Sequence, residues 1–361
     1  MKKIRVGIIG CGKVGHCHAR AYRAIPGCEL AACCNHHLER AEEFGRAYNI
    51  PAFDSVRAMI EQADVEAVSV CTPHPAHAAS AVEAARLGAH ILVEKPLAAT
   101  LADCDAILDA VRVSGVTGGV VSQRRFYPQT VRVKRAIEDG KIGRPILGTV
   151  AMLGWRDMAY YASDPWRGSW EKEGGGVLVN QAPHQLDLLM WYMGEVKEVY
   201  GLWDTLNHPG LAVDDTAVAV IRFQNGALGN ILVSNSQNPA LYGNVHVHGE
   251  NGASVGVQTD GGAMFIAGVS GIAEPPFNDL WTVPGEQGLV AGWRAEEDRL
   301  FEGPGAVEHF FRLQLEDFLD AIREGREPLV TLRDGRRVVE LFTAIYRSCQ
   351  SRAPVTFPLA P

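Results

Sequence analysis

The side chains best suited to move a proton lie in one apolar segment of the sequence. Asn180, His184 and Asp187 follow the glycine run 174–176, and apolar residues recur at helical spacing as far as Gly194. This pattern predicts a single helix after a glycine-rich turn, with Asn180 and His184 one turn apart on the same face. An imidazole titrates near neutral pH and is the commonest general base in enzymes. The trio is therefore either a proton-transfer site or a buried polar group that satisfies its own hydrogen bonds.

Length and composition limit the classes of protein to consider. A chain of 361 residues is long for one hydrophobic core, and we expect two domains, residues 1–122 and 123–361. The hydrophobic fraction of 47% and the charged fraction of 21% are typical of a globular protein. A net charge of -8 argues against a nucleic-acid surface. No apolar run reaches the roughly 18–20 residues of a membrane span, so we expect a cytoplasmic protein without a membrane partner.

The cysteines do not form the spacings that metal sites or disulfide frameworks use. There are eight, all but one in the first third of the chain, and no Cys-x-x-Cys pair occurs. Most lie in predicted strands and helices, where a cysteine behaves as a small apolar side chain. We expect reduced, structural cysteines and no metal site.

A dinucleotide-binding fingerprint lies near the start of the chain. A β-rich run ends at Ile9 and a helix is predicted from His16, and Gly10, Gly12 and Gly15 lie between them in the pattern G-x-G-x-x-G. The first glycine makes a tight turn, the second lets a pyrophosphate approach the backbone, and the third lets the helix pack on the strand. The predicted phosphate contacts are Gly10, Gly12, Lys13, Val14 and Gly15.

Strand and helix patterns then alternate as far as residue 121. This alternation predicts a doubly wound parallel sheet, whose ligands bind at the carboxyl ends of the strands. The candidate cofactor contacts at or beside these ends are Cys71, Thr72, Pro73, His74, His77, Glu94, Lys95 and Gln123.

The end of the second strand bears on the choice between NAD and NADP. An acidic residue that binds the ribose 2′-hydroxyl is usual there in NAD enzymes. This chain has Asn35, followed by His36 and, further on, Arg40. A neutral amide tolerates a hydroxyl or a phosphate, and the basic neighbours suit a phosphate or are simply solvated. We therefore leave NAD and NADP open.

Glu94-Lys95-Pro96 ends the strand before the helix that begins at Leu101. A lysine there, facing a nicotinamide, can hold a substrate hydroxyl and stabilise the developing alkoxide. The alternative is an exposed lysine at a turn.

Taken together, these motifs resemble the Gfo/Idh/MocA oxidoreductase family. They are the fingerprint at 10–15, the E-K-P motif at 94–96, and the segment 174–187, in the family's order. The resemblance implies an NAD(P)-dependent enzyme of a sugar, cyclitol or related polyol, with catalytic roles for Lys95 and His184. Many members have an aspartate four residues before that histidine, where this chain has Asn180, which can only orient its neighbours.

The second domain is predicted to be α+β, with a large, open, mainly antiparallel sheet. Five strands with Asn-Gly-type turns between 197 and 257 predict a meander, residues 273–305 a loop, and two amphipathic helices follow. We expect homodimers or homotetramers through the sheet. The loop 155–170 joins aromatic and charged residues and is expected to cover the substrate. Its Trp166 and Arg167 are also expected to contact the cofactor. The predicted substrate contacts are Lys95, Arg124, Tyr127, Arg156, Tyr160, Trp166, Asn180, Gln181 and His184.

Three alternatives to a sugar or cyclitol dehydrogenase stay open. The Trp-Arg-Gly-x-Trp loop and the Asn180-Gln181 pair resemble those of sugar-nucleotide 3-dehydrogenases. A non-catalytic protein that senses a dinucleotide is the second, and intact Lys95 and His184 argue against it. A lyase that oxidises its substrate transiently is the third.

Overall fold

The computed structural model describes residues 3–260, 276–301 and 306–359. Its strands are β1 Ile4–Ile9, β2 Cys28–Cys34, β3 Ala52–Phe53, β4 Ala67–Val70, β5 His90–Val93, β6 Gly118–Val120, β7 Pro145–Leu153, β8 Val196–Asp204, β9 Thr216–Phe223, β10 Leu228–Ser234, β11 Tyr242–Gly249, β12 Ser254–Asp260 and β13 Val355–Thr356. Its helices are α1 Lys13–Arg23, α2 Leu38–Tyr48, α3 Val56–Gln62, α4 His77–Arg86, α5 Leu101–Ser114, α6 Pro128–Glu138, α7 Met158–Ala162, α8 Val177–Asn180, α9 Pro183–Met193, α10 Val290–Phe301, α11 Ala306–Glu324 and α12 Leu332–Ser351.

The first unit contains the predicted doubly wound sheet. Six parallel strands lie in the order β3-β2-β1-β4-β5-β6. The strand order reverses at β1, because β2 and β3 follow on one side of it and β4 to β6 on the other. The central strands are apolar on both faces, with Val6, Ile8 and Val68 fully buried, because helices cover both sides of such a sheet. The prediction for this part is confirmed except for β3, a two-residue strand that carries no sequence signal.

A segment from near the carboxyl terminus also belongs to the first unit. The unit comprises the described residues up to Gln123 together with Val307–Val339. On α11, Phe318 and Leu319 pack in the same core as Ile8, and Gln314 donates to the Val120 carbonyl at 2.8 Å. The predicted boundary at 122/123 lies one residue from the observed one. The prediction placed 307–339 in the second domain, however, because an amphipathic stripe does not say which core it joins.

The second unit is built on a seven-stranded sheet in the order β12-β11-β7-β10-β9-β8-β13. Neighbouring strands in this sheet are antiparallel, except β7 and β10, which pair in parallel. The predicted meander is therefore wrong in one respect, since β7 lies between β10 and β11. Side chains alternate strictly along β9, with Ala219 and Ile221 buried and Val218 and Val220 exposed, so one face is covered and the other is open.

Part of the region predicted as a loop is helical. Residues 290–301 form α10, and Trp293 on this helix packs edge-on against Trp281 with ring centroids 5.1 Å apart. The rest of the predicted loop is a 3-10 turn at Gln287–Leu289 and irregular chain, and residues 273–275 and 302–305 lie outside the described residues. Within the described ranges, no helix has the length and apolar character needed to cross a membrane.

Candidate functional site

The three fingerprint glycines of the first unit are required for three different physical reasons. Gly10 has φ +100, and a Cβ there would lie 2.6 Å from the backbone of Cys71 and Thr72. A Cβ on Gly15 would lie 2.3 Å from the carbonyl oxygen of Gly10, so helix and strand could not pack. A Cβ on Gly12 would meet nothing within 4 Å. Gly12 is thus not needed for folding, and the space beside it suits a pyrophosphate.

The start of α1 can receive an anion. Gly12 is the N-cap, no side chain caps the helix, and its first turn contains no acidic residue. The first-turn residues Lys13 and Val14 contribute backbone N–H groups at the positive end of the helix dipole. Lys13 is exposed there, so its charge is accessible to a phosphate.

Two buried oxygens at the carboxyl ends of the strands have no hydrogen-bond partner in the described part of the chain. They are Thr72 Oγ1, after β4, and Gln123 Oε1, after β6. Buried polar atoms are normally paired, and an orphan calls for an explanation such as a ligand. Both residues were predicted to contact the cofactor. Cys71 and His74 are buried and flank Thr72 and Pro73 in the same loop.

The end of β2 is open to solvent. Asn35 Oδ1 accepts a hydrogen bond from the His37 N–H at 2.9 Å, an Asx-type turn that fixes the side chain. His36 and Arg40 are exposed. The arrangement fits a ribose hydroxyl or a ribose phosphate, and the choice between NAD and NADP stays open.

A histidine outside the motif holds the loop that carries Lys95. His18, fully buried on α1, lies 2.9 Å from Glu94 Oε1 through its Nε2 and 3.1 Å from Ser69 Oγ through its Nδ1. Glu94 Oε2 accepts the Lys95 N–H at 3.0 Å. Burial alone would raise the pKa of Glu94, but the hydrogen bond and charge of His18, together with Lys95, lower it below its usual value. An ionised Glu94 therefore anchors the half-buried Lys95. His18 was not predicted because a histidine inside a helix carries no signal of its own.

His77 joins the loop that follows β4 to the loop that follows β5. Its Nδ1 lies 2.9 Å from the Pro96 carbonyl and its Nε2 lies 2.8 Å from the Thr72 carbonyl. Burial lowers the pKa of His77, and the hydrogen bonds to the Thr72 and Pro96 carbonyls oppose this, because both favour a ring nitrogen that donates. Its structural effect is to tie Thr72 to the Lys95-Pro96 turn.

In the second unit the predicted single helix is broken. Val177–Asn180 forms α8 and α9 starts at Pro183, whose ring lacks an N–H and occupies the first helical position. Asn180 and His184 are therefore not one turn apart on one helix, and that prediction is wrong. His184 lies instead in the first turn of α9, and it is 8% exposed.

A buried carboxylate organises the glycine run before α8. Asp214 Oδ1 accepts the Gly176 N–H at 2.7 Å and the Tyr346 hydroxyl at 2.7 Å, and Asp214 Oδ2 accepts the Leu178 N–H at 2.9 Å. A Cβ on Gly176 would overlap the Asp214 carbonyl, and one on Gly175 would lie 2.3 Å from the Tyr346 hydroxyl. The glycines are therefore needed for close approach of the Asp214 backbone and the Tyr346 phenol. Burial raises the pKa of Asp214 to about 6.

The two adjacent arginines Arg124 and Arg125 are buried, so the usual expectation of a solvated pair is wrong here. Arg125 Nε and Nη2 donate to Asp187 Oδ2 and Oδ1 at 2.8 and 2.6 Å, a bidentate pair. Arg124 Nη1 donates to Thr259 Oγ1 at 3.2 Å. Asp187 thereby fixes α9 to the start of the second unit.

Tyr160 on α7 is the centre of a polar cluster. Its hydroxyl oxygen accepts hydrogen bonds from Arg167 Nη1 at 2.5 Å, Gln181 Nε2 at 2.9 Å and Asn180 Nδ2 at 3.2 Å. The Arg167 guanidinium lies 4.4 Å from the centroids of both the Tyr160 and the Trp166 rings, and that of Arg156 lies 5.1 Å from Tyr160. The structure thus brings together five of the predicted substrate contacts.

Two other predicted substrate contacts have different surroundings. Tyr127 is half-buried at the N-cap of α6, and Arg124 contacts Thr259. The polar cluster also contains one residue that the sequence analysis did not propose. Glu173 accepts a hydrogen bond from Asn180 Nδ2 at 2.6 Å. A glutamate in a charged loop is usually solvated, so its burial could not be read from the sequence.

Two family models match the chain. One, described as "Oxidoreductase family, NAD-binding Rossmann fold", matches residues 4–121. The other, described as "Oxidoreductase family, C-terminal alpha/beta domain", matches residues 134–357. Both are models of the Gfo/Idh/MocA family, which the motifs resemble. The predictions of this family, of its fold and of an oxidoreductase with a nicotinamide cofactor are confirmed.

Individual relatives cover most or all of the chain. The chain is 32% identical to myo-inositol 2-dehydrogenase of Thermotoga maritima over 257 residues, 69% of this chain and 74% of that protein. It is 27% identical to levoglucosan dehydrogenase of Pseudarthrobacter phenanthrenivorans over 99% of each chain. The structure of the WlbA dehydrogenase from Bordetella pertussis, in complex with NADH and UDP-GlcNAcA, is similar with a TM-score of 0.83 and 30% identity over 99% of this chain and 100% of that one.

Proposed function

Because the chain belongs to the Gfo/Idh/MocA oxidoreductase family, we propose that it transfers a hydride between NAD(P) and a secondary hydroxyl or carbonyl of a sugar, cyclitol or sugar derivative. The observation that carries the proposal is the intact pair of catalytic candidates. Lys95 follows a strand of the cofactor-binding sheet and is anchored through Glu94. His184 lies in the first turn of α9 and follows Gln181 of the polar cluster closely in the sequence. The relatives named above act on polyols of this class.

The roles of the two side chains follow from their chemistry. His184 takes the proton of the substrate hydroxyl as general base, because a neutral imidazole near pH 7 can accept it. Lys95 donates a hydrogen bond to the same oxygen and stabilises the negative charge that develops there. Asn180 orients the substrate. A bound nicotinamide would supply the hydride acceptor, and in carbonyl reduction Lys95, His184 and Asn180 would have the same roles in reverse.

The cofactor is proposed to bind along the carboxyl ends of the first sheet. Gly10, Gly12, Lys13, Val14 and Gly15 hold the pyrophosphate, and Asn35, His36 and Arg40 face the ribose. Thr72 Oγ1 and Gln123 Oε1 lack protein partners in the described ranges. The Thr72 hydroxyl can donate a hydrogen bond to the cofactor or accept one from it, and the Gln123 amide oxygen can accept one. Cys71, Pro73 and His74 line the site, His77 and Glu94 hold its loops, and Trp166 and Arg167 contact the nicotinamide end.

The substrate is proposed to lie against the polar cluster. Tyr160, Gln181 and Arg156 offer a phenol, an amide and a guanidinium, which suit the hydroxyl edges of a sugar. Trp166 offers an apolar face for the ring. Arg124, which contacts Thr259, and Tyr127, at the N-cap of α6, stay predicted substrate contacts, and closure of the loop 155–170 over the substrate stays a prediction.

A sugar-nucleotide 3-dehydrogenase is the second candidate function. The observation that favours it is the likeness to the WlbA dehydrogenase over 99% of this chain, since that protein was crystallised with NADH and UDP-GlcNAcA. The guanidinium groups of Arg156 and Arg167 both lie within 5.1 Å of the Tyr160 ring centroid, and two such groups suit a carboxylate or a diphosphate, although Arg167 also pairs with Asp164.

A substrate panel tests both candidates. The protein is mixed with NAD⁺ or NADP⁺ and with inositols, anhydrosugars, free sugars and uridine diphosphate sugars, and the reduced cofactor is followed by its absorbance. Turnover with a free polyol supports the first function, and turnover with only nucleotide sugars supports the second. Tight cofactor binding without turnover on any substrate would contradict both and favour a dinucleotide-sensing protein. A product that has lost a group, with no net cofactor reduction, would favour a lyase.

The open face of the second sheet supports association of identical chains. Across four strands Leu202, Val218, Leu232 and Ala151 are consecutive cross-strand partners, and the first three of these residues are 40–48% exposed. Such an apolar row on an open sheet face is typical of an interface. Light scattering should give a dimer or tetramer, and Val218→Lys should dissociate it. The cytoplasmic location stays a prediction from the sequence.

A further inference from the structure

A buried carboxylate that the proposed mechanism does not use lies beside Asn180. Glu173 is 1% exposed. Its Oε1 accepts a hydrogen bond from Asn180 Nδ2 at 2.6 Å, and its Oε2 accepts one from the Gly168 N–H at 2.5 Å. The Glu173 N–H donates to the Ser169 carbonyl at 2.7 Å, which closes the loop around the carboxylate. These hydrogen bonds compensate for the burial of Glu173, because an unpaired ionised carboxylate is costly to bury.

The contact determines which way the Asn180 amide faces. An amide nitrogen has two N–H groups, and those of Asn180 are directed at Glu173 Oε1 and, at 3.2 Å, at the Tyr160 hydroxyl. The amide oxygen Oδ1 therefore lies on the opposite side and acts as an acceptor. A substrate hydroxyl is a donor that such an oxygen recognises.

We propose that Glu173 is a positioning residue, whose ionised carboxylate holds the Asn180 amide by its nitrogen so that Asn180 Oδ1 accepts a hydrogen bond from the substrate. The inference rests on the proposed function, since it assigns the acceptor of that reaction. Protonation of Glu173 replaces an acceptor by an O–H donor. The Asn180 amide can then rotate so that its oxygen accepts a hydrogen bond from Glu173. Asn180 Nδ2, rather than Oδ1, then faces the substrate.

The surroundings make this protonation relevant near neutral pH. Burial raises the pKa of Glu173 to about 7, the Gly168 N–H, Asn180 and Arg167 oppose the rise, and Asp214 adds to it. The other titratable or charged groups that face the carboxylate or its hydrogen-bond partners are Tyr160, Tyr161, Tyr346 and Arg156.

An exchange of groups across the contact tests the proposal. Glu173→Gln leaves no carboxylate for the Asn180 amide, and Asn180→Asp places two carboxylates face to face, so each change should lower kcat/KM by about tenfold or more. In the double variant E173Q/N180D the new amide at position 173 can donate to the new carboxylate at position 180, whose second oxygen still accepts from the substrate. We expect its kcat/KM to recover to within about threefold of the wild-type value. Glu171→Gln, an exposed glutamate in the same loop, is the matched control.

The pH profile gives a readout that a merely structural residue would not change. On the acidic limb log(kcat/KM) should rise with a slope that is about one unit steeper in the wild type than in E173Q, because only the wild type must lose a proton from Glu173. Single variants as active as the wild type, a double variant no better than the worse single, or an unchanged slope would each overturn the inference while the proposed function stands. A wild-type protein without turnover on the whole panel would overturn the proposed function itself. Melting curves and NAD(H) binding of each variant exclude a failure to fold.

Discussion

The candidate site residues of the first unit, the first half-site, and those of the second unit, the second half-site, are held in different ways. In the first unit the glycines act through the backbone of their own neighbourhood, and Thr72 and Gln123 keep buried oxygens without protein partners among the described residues. In the second unit buried polar side chains bind one another, often across long stretches of chain. Tyr346 is 132 residues from its acceptor Asp214, and Arg125 is 62 residues from Asp187.

This difference separates function from stability. A side chain whose partner is a ligand can be removed without loss of protein contacts, whereas a side chain in a buried network leaves its partners unsatisfied. Changes in the first half-site should therefore reduce activity or cofactor affinity in a protein that folds normally. Changes in the second should also reduce the free energy of unfolding.

The largest effect is expected for Lys95→Ala. Loss of the group that stabilises the developing alkoxide should lower kcat about a thousandfold, or about 4 kcal/mol in the barrier. NAD(H) affinity and the melting temperature should stay close to those of the wild type, because Glu94 remains anchored by His18. Steady-state kinetics on the best substrate of the panel measures the effect, and the exposed Lys3→Ala is the control. A kcat within tenfold of the wild-type value would remove Lys95 from the mechanism.

The buried ion pair of the second unit should show the opposite behaviour. Asp187→Asn leaves the Arg125 guanidinium buried without its counter-charge, and we expect a loss of about 3 kcal/mol in the free energy of unfolding. Urea denaturation measures it. The double variant R125M/D187L, which removes both charges, should lose clearly less than the single one. Equal stability of D187N and the wild type would contradict the view that this half-site is held by its network.

The first half-site was largely predictable because its signals are local. Gly10, Gly12 and Gly15 are five residues apart at most, so the fingerprint is recognised from its spacing alone, although the steric reason for Gly10 is the distant backbone of Cys71 and Thr72. The strand and helix bounds from Ile4 to Ser114 follow apolar runs that any parallel sheet needs. The exception is His18, whose contact with Glu94 joins residues 76 positions apart.

The second half-site was only partly predictable because its partners are distant in the sequence. His184 and Asn180 stand out by their spacing, but Pro183 breaks the helix on which that spacing was interpreted. Nothing near Gly176 shows that the run makes room for Asp214, and nothing near Glu173 shows that it is buried. Parallel pairing of β7 with β10 likewise depends on the whole sheet rather than on a turn.

A pair of glycine substitutions separates cofactor binding from folding within the first half-site. Gly12→Ala puts a methyl group where the protein has nothing within 4 Å, in a backbone conformation that alanine adopts, so the protein should fold normally. Its NAD(H) affinity should fall about a hundredfold, or about 2.7 kcal/mol, since the pyrophosphate can no longer approach the backbone.

Gly10→Ala is the matched variant, because its methyl group would meet the backbone of Cys71 and Thr72 at a φ of +100. It should lower the melting temperature as well as the affinity. Calorimetric titration with NADH and thermal unfolding measure the two effects. If Gly12→Ala binds NADH as the wild type does, the fingerprint is not the pyrophosphate site.

The smallest effect is expected for Tyr346→Phe, which removes one hydrogen bond to Asp214 and should lower the free energy of unfolding by about 1 kcal/mol.

The pH dependence of this effect is more informative than its size. Burial raises the pKa of Asp214 from 3.8 to about 6, so the folded state binds this proton more tightly than the unfolded state. The resulting stabilisation is complete below pH 3.8 and is lost as the pH rises through about 6. The Tyr346 hydrogen bond opposes the rise in this pKa, so its removal should move the loss to higher pH. Urea denaturation between pH 4 and pH 8 follows this shift. Tyr200→Phe, on β8 of the seven-stranded sheet, is the control. An unchanged pH dependence would show that Tyr346 acts only through its packing.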